Sequence, residues 1–169
     1  MMDVRRSLVV AVAFVGALVV QTTLFGQARI GGIAPDVVIL AVIVYSLRAR
    51  AEIAMLAAFT VGFLFDAVAS SSALGLRAMA YTTVAFLAVR TRDRADLGPL
   101  AVAIWAGVMT LVGVGAIFLV GTLFGQIAMD FGQAARRLML IPLFNAGIAV
   151  LLSPLTTRML DGRRGVIGL

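Results

Sequence analysis

Asp66 and Arg77 interrupt two neighbouring apolar stretches, on either side of Ser70-Ser71-Ser72. A charge held in lipid costs at least ~2.5–3.5 kcal/mol on insertion scales, so each needs a reason. Asp66 lies one turn before the end of its stretch, and Arg77 lies one turn into the next. Two antiparallel helices joined by so short a turn bring those depths level, and the spacing predicts an Asp66–Arg77 ion pair that clamps a helical hairpin. The alternative chemistry, a proton or ion relay, wants further acids or histidines along a path. The sequence offers none at matching depth.

Other routes to catalysis are closed by residue type. The chain has no Cys and no His, which removes thiol nucleophiles, thiolate metal sites and imidazole ligands. All fourteen basic residues are Arg, so there is neither a phosphate-binding Walker lysine nor a Schiff-base lysine. No cofactor or metal site is expected. The arginines lie in short loops rather than in one patch, which argues against nucleic-acid binding.

The elements that position these residues are set by composition. Of 169 residues, 62% are apolar and 13% charged, with a mean hydropathy of +1.10. A soluble chain is nearer half apolar and a quarter charged, and one this short cannot hide so much apolar surface from water. The chain therefore reads as an all-α, polytopic integral membrane protein forming one domain. At roughly 20 residues per span it has room for about six helices. The expected spans are 7–25, 33–47, 53–69, 73–89, 99–120 and 138–155. The first follows Arg5-Arg6 and also fits a signal peptide with Gly26-Gln27-Ala28 as cleavage site. Its apolar run is longer than usual for that, and another membrane segment follows, so it is read as a span. The second opens at Pro35-Asp36 and is short, with 15 residues rising only about 22 Å. Leu97–Met129 is 33 residues without a charge; the reading is a helix to about Val120, then a Gly-rich interfacial stretch within 121–137. In the last span Pro142 falls in the first turns, and Pro154 is expected to end the helix.

Alternate loops carry unequal charge. Arg5, Arg6, Arg48, Arg50, Arg90, Arg92, Arg94, Arg158, Arg163 and Arg164 fall on one side, ten in all, against Arg29, Arg77, Arg136 and Arg137 on the other. The positive-inside rule puts the ten in the cytoplasm, and with them both termini.

Ala54, Ala58, Gly62 and Asp66 recur every four residues and make a small-residue stripe on one helix face. Such stripes let backbones approach closely in lipid, and internal packing is the favoured use over contact with another protein. Gln21 and Asn145 are expected to hydrogen-bond to neighbouring helices. Thr23-Leu24-Phe25-Gly26-Gln27 recurs as Thr122-Leu123-Phe124-Gly125-Gln126, which in so Leu-, Phe- and Gly-rich a chain reads as coincidence.

Three pieces in order carry a resemblance. Pro35-Asp36 precedes an apolar helix ending in Tyr45-Ser46-Leu47-Arg48; Gly62-Phe63-Leu64-Phe65-Asp66 follows; Leu74-Gly75-Leu76-Arg77-Ala78-Met79-Ala80-Tyr81 completes the set. Together they resemble the bacterial rod shape-determining MreD family over about a third of the chain. The resemblance implies a six-helix protein of the cell-elongation machinery, embedded in membrane lipid of the bacterial inner membrane. Its implied partner is an MreC-like single-span protein, with indirect links to an MreB-like filament, a RodA-like glycosyltransferase and a class B penicillin-binding transpeptidase. It also implies a fold similar to the substrate-binding subunits of energy-coupling-factor transporters. Carried over by position, the matching residues are Pro35, Asp36, Gly62, Asp66, Gly75 and Arg77. The Ser70–Ser72 linker departs from the family pattern, which has a glycine there.

The expected function is a non-enzymatic scaffold, with Pro35, Asp36, Ala54, Ala58, Gly62, Asp66, Gly75 and Arg77 as partner-binding or structural positions. The alternative is a substrate-binding subunit for uptake of a vitamin or other small molecule, suggested by the related fold and by Ala13-x-x-x-Ala17 as a docking stripe. Such a site wants several polar and aromatic residues converging near the outer face, where the sequence offers little beyond Asp36, Asp66, Arg77, Gln21 and Gln126. A membrane-embedded phosphatase or protease would need paired acids, His or a Ser/Lys dyad, and none is present.

Overall fold

A computed structural model describes residues 4–27, 32–69, 74–92, 98–125 and 130–164, with side chains described over 8–25 of the first helix and 131–152 of the last. The described residues form six helices and no strand: α1 (Val4–Gln27), α2 (Val37–Ser46), α3 (Ala51–Ala69), α4 (Leu76–Thr91), α5 (Pro99–Leu123) and α6 (Phe131–Arg164). Stretches of α1, α3, α5 and α6 are long and apolar enough to cross a membrane.

The short α2 is the hub. Its 10 residues are apolar almost throughout, and a helix that is hydrophobic all round belongs in a core. Val38, Ile39, Leu40, Val42 and Ile43 are all buried, and α2 touches every other helix. At ~1.5 Å per residue it rises only about 15 Å, half of a ~30 Å hydrocarbon core. The expected span 33–47 thus contributes less helix than its apolar length suggests. Pro35 brings no N–H, and Asp36 sits in extended conformation as the N-cap, so the helix starts at Val37.

Around this hub α3 packs chiefly on α4, and α5 on α6. The α3–α4 contact is close enough to exclude a side chain. A Cβ on Gly62 would lie 2.7 Å from the Ala78 backbone nitrogen and Cα. Ala58 and Ala54, one and two turns earlier, are also fully buried, so the stripe is consumed inside the molecule. Outward-facing apolar residues, among them Leu56, Phe59, Phe63 and Val68 on α3, are exposed.

Two expectations about helix ends need correction. The helix expected to end at about Val120 runs on: α5 continues to Leu123 and closes at Gly125, whose φ of +65° is the left-handed form common after a helix end, and α6 starts at Phe131. Pro154 does not end α6, which continues to Arg164. An interior proline removes one backbone bond and crowds the carbonyl four residues earlier, and neighbouring helices in a membrane protein can tolerate that. The Ser70–Ser72 turn and Gln126 lie outside the described residues.

Because the Gly62 contact is backbone to backbone, a larger residue must push α3 off α4. Gly62→Leu is expected to lower the thermal-unfolding midpoint in detergent sharply, whereas Ala67→Leu on the exposed side of the same helix leaves it within error. Equal midpoints for the two variants would refute the close approach.

Candidate functional site

At one end of the bundle, two clusters of polar groups gather where α2 and α4 begin. Each exists because a helix N-terminus leaves backbone N–H groups without intrahelical partners, and in an apolar interior those donors must be met.

The first cluster caps α4. Gly75 takes φ +96° as the N-cap residue and has no side chain to offer. Asp66 supplies the missing acceptor from α3. Its Oδ2 accepts from the backbone N–H of Gly75 at 3.0 Å and of Arg77 at 2.8 Å, while its Oδ1 accepts from the Arg77 guanidinium at 2.9 Å. The expected ion pair is therefore present, and it is also a helix cap: the carboxylate meets both the cation and the positive end of the helix dipole. The Asp66 side chain is fully buried, and that of Arg77 is 21% exposed. The guanidinium also lies over the Phe65 ring, 4.5 Å from its centroid, a favourable cation–π placement. Gly75 is required because only glycine takes this backbone conformation without strain.

The second cluster caps α2 and draws in the remaining helices. Asp36 Oδ1 accepts from the Ile39 N–H at 3.0 Å. The Gln21 amide of α1 spans the approach to the helix: its Nε2 donates to the Pro35 carbonyl at 3.1 Å, and its Oε1 accepts from the Val37 N–H at 2.7 Å. Tyr81, buried on α4, donates its hydroxyl to the Asp36 carboxylate at 3.0 Å from Oδ2. From α6, Asn145 Nδ2 donates to the Asp36 carbonyl at 2.9 Å and to Thr110 Oγ1 of α5 at 3.2 Å. The fully buried Asn145 Oδ1 has no partner among the described residues. Every helix except α3 contributes to this knot, and α3 reaches its neighbour through Asp66.

The eight positions singled out in the sequence thus divide. Pro35, Asp36, Asp66, Gly75 and Arg77 lie at this end of the bundle, whereas Ala54, Ala58 and Gly62 run down the buried face of α3. Gln21 and Asn145 bond to neighbouring helices. Tyr81 and Thr110 complete the knot without a periodicity that marks them; the available signal was a phenol in an apolar helix, since a buried Tyr hydroxyl usually finds a partner. Among the described residues no group of His, Cys, Asp and Glu could hold a metal ion.

Asp66→Leu removes the acceptor for one cation and two backbone donors at once. Breaking a buried pair from one side typically costs about 3–5 kcal/mol, and a loss of that order is expected in unfolding free energy. Adding Arg77→Leu is expected to recover part of it but not the uncapped α4 terminus; strictly additive losses would mean that the two side chains are uncoupled. Separately, Asn145→Leu removes the interhelix donor to the Asp36 carbonyl, which keeps its bond from the Leu40 N–H, and the donor to Thr110, with an expected cost of about 0.5–1.5 kcal/mol. Measuring the thermal midpoint of each variant checks both, and an unchanged midpoint in Asn145→Leu would refute its bridging role.

Neither the curated proteins nor the solved structures compared with the chain include a match. A protein-family model does match. Described as rod shape-determining protein MreD, it aligns with residues 2–161, nearly the whole length. That alignment takes in five helices whole, α6 up to its last residues, and both clusters around Asp36 and Asp66, and the chain belongs to the MreD family of rod shape-determining proteins.

Proposed function

We propose that this protein is a non-enzymatic scaffold of the bacterial cell-elongation complex, crossing the cytoplasmic membrane several times with both termini inside. In this reading it binds an MreC-like single-span protein and helps organise sidewall peptidoglycan synthesis. It acts indirectly with an MreB-like filament, a RodA-like glycosyltransferase and a class B penicillin-binding transpeptidase. The near-full-length family match carries the reading. The geometry supports it too: Asp36, Asp66, Arg77, Tyr81 and Asn145 are engaged with one another and with backbone groups, as suits a part that holds shape. The unequal arginine distribution supports the orientation. A helix arrangement akin to the energy-coupling-factor subunits is part of the same proposal.

The small-residue stripe faces α4 and is unavailable to a partner. We place the partner helix on the outer side of α3 instead, where Leu56, Phe59 and Phe63 are exposed and the two Phe rings stack with centroids 6.3 Å apart. The test is a mild-detergent pull-down of the tagged protein from native membranes, read by mass spectrometry. Recovery of a single-span protein with an external domain together with cell-wall synthases is expected. Recovery of ATPases and a coupling membrane subunit would favour the uptake alternative and overturn the scaffold. Leu56→Ala/Phe59→Ala/Phe63→Ala is expected to lose the single-span partner at an unchanged thermal midpoint; retention would move the contact elsewhere.

A further inference from the structure

An open cleft of about 440 Å³ lies beside the two polar clusters, bordered by α1, the approach to α2, the end of α3, the start of α4 and the first half of α6. That volume falls in the usual range for a small-molecule site. Its wall combines two guanidinium groups, Arg77 and Arg137, with the apolar side chains of Phe25, Phe65, Val68 and Ile141.

Two guanidinium groups and one carboxylate, that of Asp36, line the cleft, and Asp36 takes its hydrogen bonds from Ile39 and Tyr81. Arg77 answers Asp66, and its side chain is 21% exposed. Arg137 is half-buried and has no hydrogen bond or ion pair among the described residues. A cation at the edge of an apolar bundle is costly without a counter-charge. Arginine forks suit the oxygens of a phosphate.

We propose that the cleft holds a phosphodiester, the headgroup of a membrane phospholipid, with Arg137 and Arg77 on the phosphate. The glyceride end lies against Phe25, Phe65 and Ile141. The shared chemistry is the phosphate. The apolar wall selects the lipid form over a free ion, because inorganic phosphate would leave that wall unused.

The experiment is native mass spectrometry of the full chain, released from micelles doped with phosphatidylglycerol, with diacylglycerol or with inorganic phosphate alone. One retained phosphatidylglycerol per chain is expected, with no diacylglycerol retained. Arg137→Gln is expected to reduce retention at least tenfold while leaving the lipid-free thermal midpoint unchanged, and Arg136→Gln, an exposed neighbour, to leave retention intact. Equal retention in wild type and Arg137→Gln, or no retained phospholipid, would overturn the site. Stabilisation of the wild type by inorganic phosphate equal to that by phosphatidylglycerol at the same concentration would overturn the lipid as occupant and leave a simple anion site.

Discussion

The start of α2 constrains everything around it. A ten-residue helix in contact with five others has protein on most sides of its first turn, and the backbone groups there are met largely from within. Gln21 answers the Pro35 carbonyl and the Val37 amide, Asp36 answers Ile39, and Asn145 adds a second donor to the Asp36 carbonyl beside the Leu40 N–H. These bonds fix where α1 and α6 lie along α2, and Tyr81 adds α4 through the Asp36 side chain. Apolar packing has little directional preference. The polar end supplies the register that packing leaves open.

The α3–α4 hairpin solves the same problem with different parts. Gly75 reverses the chain and exposes amides at the start of α4, and a carboxylate from the preceding helix covers them. The absent side chain at Gly62 lets the two backbones come close enough for Asp66 to reach. Farther along, Trp105 donates its indole N–H to Thr91 at 3.0 Å, and Arg92 donates to the Ala49 carbonyl at 3.3 Å, so the opposite end of α4 is tied to α5 and to the α2–α3 turn.

Much of this was legible in the sequence, for identifiable reasons. Asp66 and Arg77 announce each other because charges in apolar stretches are rare and a short turn dictates which depths meet. The i, i+4 recurrence of Ala54, Ala58 and Gly62 marks a packed face, although recurrence alone does not name the neighbour. The Asn145–Asp36 bond joins positions 109 residues apart, and no local pattern encodes such a pairing. Hydropathy overestimates the length of α2 because it counts apolar residues without regard to where the backbone becomes helical. The local cost of Pro154 predicts a helix end that the tertiary surroundings of α6 override.

The double use of Asp66 bears on how the chain enters a bilayer. Alone, α3 would carry a bare carboxylate, and α4 a bare guanidinium and uncapped amides, each penalised in hydrocarbon. Placed together, the two helices cancel these penalties before any other helix arrives. The unit in which these groups are all satisfied is thus the hairpin rather than the single helix, and it offers a finished surface on which the remaining helices can assemble.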